Sequence, residues 1–311
     1  MARYPQLFVV GAAKAGTSAL HHYLAQHPEL GMSAFKEPHH FASFTPDPRL
    51  RHMIRRYEDP AQYLALFAAH AQRRIWGESS PSYLFDEQAA RRIHARVPQA
   101  RLIVLLRDPV ARAYSHYLMD CREGLQREAF WPALQRDYAL PGKTWGGAGH
   151  CYVELGFYAR QLRRYLDLFA REQLLILEFA ELCAQPATTL RRVAAFLDID
   201  PQGFAAVQAE AVNAYAQPRH ALGRRLMAQQ GLRRAAQALL PPGARRFIRE
   251  RLLLRRSAKP AIEPQALHWL RALYAPELQA LEALLGQALP SLRLELPEHP
   301  HALPDLSPQP A

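Results

Sequence analysis

Residues 7–18 constrain the fold more than any other stretch. The apolar run LFVV (7–10) enters a loop, GAAKAGTS (11–18), and a helix-forming segment, SALHHYLAQH (18–27), leaves it and stops at Pro28. A short, continuously apolar run of this kind fits a strand buried on both faces. A glycine-bounded turn between such a strand and a helix aims backbone N–H groups and a helix N-terminus at one point, an arrangement that holds a phosphate. The chain therefore opens as the first unit of a layered α/β sheet, with an anion site at its strand end.

RLIVLLR (101–107) is the clearest further strand, and Pro109 starts a helix running to about Cys121. RIWGE (74–78) and QLLILEF (173–179) add two more strands. Helices are predicted over 60–70, 86–97, 128–137 and 186–197, and another from the spacing of Tyr158, Leu162, Tyr165 and Phe169. Prolines 38, 46 and 48 leave 31–59 irregular, and SSPSYLF (79–85) and PGKTWGGAG (141–149) are loops, the latter flexible. Strands alternating with helices predict a parallel sheet covered on both faces. Beyond about 220 come basic Leu/Ala-rich helices broken at Pro241-Pro242, and a helical pair over 264–286 closes the domain. One domain is expected over 5–297, with a basic helical cap at 219–262 inside it and a disordered tail at 298–311.

The chemistry of the loop is specific. Gly11 to Gly16 has the G-x-x-x-x-G frame of a nucleotide triphosphatase, but Thr17 and Ser18 follow where Lys and a magnesium-holding hydroxyl would stand. The lysine, Lys14, lies inside the loop and can still reach a leaving phosphate. A sugar or nucleoside kinase is disfavoured on this ground, and because Arg107 ends the second strand where a metal-holding acid would be expected. In LIVLLRDPVARAYSHY (102–117), Arg107 and Ser115 offer a second phosphate grip. Two separated grips suit a nucleotide phosphorylated at both 5′ and 3′ positions. The bland alternative for Arg107 is an ion pair with Asp108.

Strand–K-x-G-T-[ST]-helix, followed by strand–R-[DN]-P-x-x-R-A-x-S-x-[YW], resembles the sulfotransferases that use 3′-phosphoadenosine-5′-phosphosulfate (PAPS). The closer likeness is to the heparan-sulfate type and its bacterial relatives, over about residues 5–290. The resemblance implies a P-loop-like α/β fold and PAPS as co-substrate, with no metal required. It puts Lys14, Ala15, Gly16, Thr17 and Ser18 on the 5′-phosphosulfate loop and Arg107 and Ser115 on the 3′-phosphate site. FKEPHHFAS (35–43) resembles the stretch carrying the family's catalytic glutamate, which makes Glu37 the proton acceptor, with His39 sharing that task or orienting the acceptor, and Lys14 stabilising the leaving oxygen. Arg219 falls on a late segment that supplies a basic contact to the 3′-phosphate. One departure stands out: Ser79 in Glu78-Ser79-Ser80-Pro81 replaces a lysine those enzymes often carry, and Lys36 could fill the gap.

Charge narrows the partners. Residues 219–259 hold 12 Lys+Arg and one acid, leaving 27 basic and 27 acidic residues elsewhere, so the net charge of +11 sits in one segment. Such a segment favours an anionic glycan, a lipid or peripheral contact with a membrane. With Phe247 as its lone aromatic it lacks the stacking surface of a nucleic-acid binder. Cys121, Cys151 and Cys183 are odd in number and form no metal spacing, and no leader-like run precedes Leu7, so a cytoplasmic setting is expected. Acceptor identity and oligomeric state are not legible.

Overall fold

The computed structural model describes residues 3–48, 50–51, 53–205, 207, 216–218, 254–256 and 259–292. Its centre is β1 (Leu7–Gly11), whose five residues are all buried. The chain turns through the glycine loop into α1 (Thr17–Leu24) and then β2 (Leu30–Met32). After α2 (Pro60–Ala65) comes β3 (Ile75–Ser79), then the short α3 (Ser82–Phe85) and α4 (Ala89–Arg96). β4 (Arg101–Leu106) follows, and from it α5 (Pro109–Glu123) and α6 (Phe130–Ala139). α7 (Tyr158–Leu166), β5 (Leu174–Glu178), α8 (Phe179–Ala184) and α9 (Pro186–Leu197) complete the alternation. Farther on are β6 (Ala216–Pro218) and β7 (Leu254–Arg256), an antiparallel pair, and α10 (Pro264–Leu285).

The main sheet has the order β2-β3-β1-β4-β5, and every pairing in it is parallel. The chain leaves β1 toward β2 and β3 on one side and returns to β4 on the other. This reversal opens a crevice outside the carboxyl ends of β1 and β4, where ligands of open α/β sheets bind. Leu102 to Leu106 are fully buried, which is why that strand is so plainly apolar in sequence.

A second apolar cluster joins Tyr114 of α5, Phe130 of α6 and Trp269, Leu270 and Tyr274 of α10. The Tyr274 hydroxyl donates to the Val153 carbonyl at 2.8 Å, and the Glu277 carboxylate accepts from the Ala159 amide at 2.7 Å. That carboxylate meets the N-terminal end of α7, satisfying a donor that no helical carbonyl reaches. α10 is thus a clasp over the α5–α7 side of the sheet.

Four expectations change. Residues 264–285 form one helix continuing through Pro276, not a pair, because Trp269, Leu270, Tyr274, Leu281 and Leu285 make a buried face on both sides of the proline. Leu30–Met32 pairs with β3 inside a stretch expected to be largely irregular. Ser82–Phe85 is helical, where a loop was expected. The expected helix over 60–70 is α2 and a separate 3-10 turn at Ala68–His70. Most of the basic cap and all of the expected tail lie outside the described residues. Among the described residues, no helix is long and apolar enough to cross a membrane.

Candidate active site

The glycine loop bridges β1 and β4: the Ala12 amide donates to the Leu105 carbonyl at 2.7 Å. Gly16 caps α1 at φ +91°, and a Cβ there would stand 2.6 Å from the Phe179 ring. Only glycine meets both demands. The Ala19 and Leu20 amides of α1 both donate to the Gly16 carbonyl, at 3.0 and 3.1 Å, which leaves those of Thr17 and Ser18 as the helix-terminal donors at the loop. Thr17 is buried and, with Ser18 and Gly16, lines a cavity of about 760 Å3 in that crevice. Ala15 is fully buried, and its amide donates to the Ala12 carbonyl, so its part is to shape the loop.

Lys14 also has a left-handed backbone, φ 65°. Its ammonium lies 3.1 Å from the Met119 sulfur, a weak acceptor rather than a carboxylate. Burial, and after it the nearby charge of Arg122, brings its pKa down to about 8. Arg107 donates through Nη1 to the Lys14 carbonyl at 3.0 Å and lies 4.8 Å over the Phe179 ring, and burial lowers its pKa. Asp108 is engaged as the cap of α5, accepting from the Ala111 amide at 2.6 Å. Ser115, on α5, and Lys259 border the same cavity. Two desolvated cations joined through one carbonyl, beside free helix-terminal amides, fit a ligand with two separated anionic groups. Arg219 lies outside the described residues.

Glu37 lines the cavity on a left-handed backbone, φ 65°, with its amide donating to the Ser79 carbonyl at 3.0 Å. Its side chain is 36% exposed and ion-paired with Lys36. Burial pushes the carboxyl up, but Lys36 and other nearby positive charge outweigh it, and the net pKa lies below the ordinary value. The Ser79 hydroxyl is 3.0 Å from Nδ1 of His21, a ring on which the charge of Lys36 acts. His39 does not border the cavity. It is buried behind Glu37, with Nε2 3.8 Å from the carboxylate and Nδ1 2.7 Å from the Ser82 hydroxyl, and burial lowers its pKa to about 4.

Beneath this pair lies a polar layer. The fully buried Glu78 carboxylate accepts from the hydroxyls of Tyr63 (2.8 Å), Tyr83 (2.7 Å) and Ser80 (2.7 Å). Burial raises its pKa to about 7, against the pull of those hydrogen bonds. The Ser80 oxygen in turn accepts from the His39 amide at 3.1 Å, so Glu78 fixes the turn that carries Glu37 and His39.

The sequence gives little warning of the rest of the wall. The loop at 141–149, expected to be flexible, is pinned at both ends: Lys143 donates to the Asp137 carbonyl at 2.6 Å and pairs with Glu154, and just beyond it the amides of His150 and Tyr152 donate to the Asp137 carboxylate. His150 Nδ1 sits 2.7 Å from Asp120, which also accepts from the Tyr152 hydroxyl at 2.8 Å. Trp145, His150 and Asp120 all border the cavity. Widely separated side chains with no motif spacing leave no local signal for this assembly. The non-glycine residues Lys14, Glu37, His39 and Cys151 all have positive φ, and such backbones gather at functional sites.

Comparison with known proteins agrees with this geometry. The family model described as "Sulfotransferase family" matches residues 5–203. Heparan sulfate glucosamine 3-O-sulfotransferase 6 of Homo sapiens is 33% identical over 198 residues, covering 63% of this chain and 53% of that protein. Carbohydrate sulfotransferase 15 of Rattus norvegicus is 31% identical over 247 residues, covering 63% of this chain and 44% of that protein. The chain thus spans about half the length of the curated relatives it matches. A solved sulfotransferase from Alicyclobacillus acidocaldarius superposes with a TM-score of 0.70 at 27% identity, over 94% of this chain and all of that one. With its phosphate-loop strand, its parallel sheet and the matched family model, the chain belongs to the sulfotransferase family.

Proposed function

We propose that this protein transfers a sulfuryl group from PAPS to a hydroxyl of a glycan, glycolipid or lipid-like acceptor, without a metal and in a cytoplasmic setting. The observation that carries this is the junction of Lys14 and Arg107: a buried ammonium inside the loop, its own carbonyl held by a guanidinium at the end of the neighbouring strand. PAPS, when bound, supplies the activated sulfuryl group and two phosphate-bearing positions for this junction.

The chain's own residues have distinct tasks. The amides of Gly16, Thr17 and Ser18 and the Thr17 and Ser18 hydroxyls bind the 5′ end. Arg107 and Ser115 bind the 3′-phosphate, the guanidinium by charge-assisted hydrogen bonds. Lys14 neutralises charge developing on the leaving oxygen. Glu37 takes the proton of the attacking hydroxyl. Its partner Lys36 keeps it ionised, and His39, neutral at physiological pH, orients it from behind. Holding acceptor and donor in line supplies much of the rate, as it does in phosphoryl transfer.

Sulfur-labelled PAPS incubated with extracts and the purified protein, with mass spectrometry of the labelled product, tests the reaction. Calorimetry tests the nucleotide: adenosine 3′,5′-bisphosphate should bind far more tightly than ATP, with no need for magnesium. Tight, magnesium-dependent ATP binding would return the protein to the kinase class.

A further inference from the structure

The large apolar side chains that stay most exposed among the described residues are Phe35 (39%), Met53 (38%), Leu125 (38%) and Leu140 (40%). Two of the four border this one cavity, and a third is close to it in the chain. Met53 and Leu125 line it, and Phe35 stands two residues from Glu37 with its ring 5.5 Å from that of Tyr57. Ile54 and Trp145 continue the wall, and the Trp145 ring lies 6.2 Å from His39, behind Glu37. The two loops that carry this wall are clasped: the Asp47 amide donates to the Gly146 carbonyl at 2.7 Å, and a Cβ on Gly146 would stand 2.6 Å from Ile54. Exposed apolar side chains concentrated around one opening mark a binding surface, whereas scattered single ones do not.

The cations of the cavity have other engagements. Lys14 and Arg107 form the nucleotide junction. Lys259 borders the cavity within reach of the like charge of Arg107, which after burial lowers its pKa, so it belongs with that junction. Arg122 pairs with Glu123 at 3.2 Å and Lys36 with Glu37. Ser79 stands where the resemblance leads one to expect a lysine. Among the described residues, the wall of Met53, Ile54, Leu125 and Trp145 therefore offers apolar surface, and the Lys36 ammonium beside Glu37 is already paired with its carboxylate.

We propose that the acceptor is an alcohol borne on an alkyl, lipid-like body, its chain lying against Met53, Ile54, Leu125 and Trp145 and its hydroxyl reaching Glu37. Leu, Ile and Met present flexible aliphatic surface, and Met adapts to a chain without fixed shape. This depends on the sulfotransferase reading above and adds the class of acceptor.

The probe is 1-decanol, followed by saturation-transfer NMR on the full chain, with and without saturating adenosine 3′,5′-bisphosphate. Decanol should bind, and Met53→Gln with Leu125→Gln should weaken it by about tenfold, the scale expected for losing two apolar contacts. Both positions are exposed, and unchanged circular dichroism and nucleotide affinity would show that the double variant is folded. With labelled PAPS, the wild type should form decyl sulfate. No decanol binding, equal binding to the double variant, or tight binding of a heparin tetrasaccharide in place of decanol overturns the proposal. The nucleotide titration is scored separately. If adenosine 3′,5′-bisphosphate does not bind, the sulfotransferase reading fails, while decanol binding to the free protein still judges the apolar site.

Discussion

The ammonium of Lys14 and the thioether of Met119 are 3.1 Å apart, which makes a sulfur atom the partner of a desolvated cation in the cavity. A pKa near 8 follows from burial and from Arg122. An arriving anion stabilises the protonated form, so nucleotide binding should take up about half a proton near pH 8 and almost none near pH 6. Calorimetry in buffers of different ionisation enthalpy measures this directly. Affinity should fall as pH rises above 8, and Lys14→Met should abolish both effects.

Glu37 and Arg107 should separate chemistry from binding. Glu37→Gln removes a proton acceptor but no phosphate contact, so nucleotide affinity should hold while turnover on the true acceptor drops by on the order of a hundredfold or more. Arg107→Ala removes a charge-assisted hydrogen bond and should weaken adenosine 3′,5′-bisphosphate by roughly 1.5–3 kcal/mol. Near-normal turnover in Glu37→Gln would remove it from the role of base.

The Phe179 ring sits between Gly16 and Arg107, 2.6 Å from a would-be Cβ on one side and 4.8 Å under a guanidinium on the other. Gly16→Ala should push the ring toward Arg107 and cost about 1–2 kcal/mol for the left-handed backbone alone. It should also lower nucleotide affinity. Phe179→Ala in the same chain should restore part of the affinity but not the backbone cost. A double-mutant cycle that shows strict additivity for binding would mean the ring transmits nothing.

Glu78 gives the fold a pH dependence of definite sign. Its folded pKa, about 7, lies above the ordinary 4.5, so the folded state holds its proton more tightly than the unfolded chain. Stability from this group is full below pH 4.5, declines as pH rises through the interval, and is lost above about 7, by on the order of 1 kcal/mol for each pH unit between the two values. Glu78→Gln can still accept from both tyrosines. Thermal melts from pH 4.5 to 8 should show this contribution to the slope flattened in the variant, with the variant the more stable protein at pH 8.

How far the sequence could be read follows from where the information lies. β1 and β4 are legible because strands buried on both faces must be apolar throughout, and Lys14, Gly16 and Arg107 because they stand at fixed distances from those strands. β2 is three residues long and carries too little pattern to stand out. His150 and Asp120 lie thirty residues apart and meet only through tertiary packing. The pinned loop at 141–149 looks flexible because its glycines are visible in sequence, whereas the Asp137 carboxylate that holds its far end is not marked as a clamp. A helical pair is read over 264–286 because local rules cannot see the continuous buried face on which α10 rests.

The left-handed backbones at Lys14, Glu37 and His39 also bear on how this protein can change. Glycine at each would relieve a conformation that costs side-chain-bearing residues on the order of 1 kcal/mol. It would also delete the ammonium, the carboxylate or the imidazole there. Selection for thermal robustness alone would therefore drift toward a firmer but inert scaffold. A library screened only for melting temperature should enrich glycine at Lys14 and Glu37, though not at the buried His39, where it would leave a cavity, and its most stable members should be among its poorest enzymes.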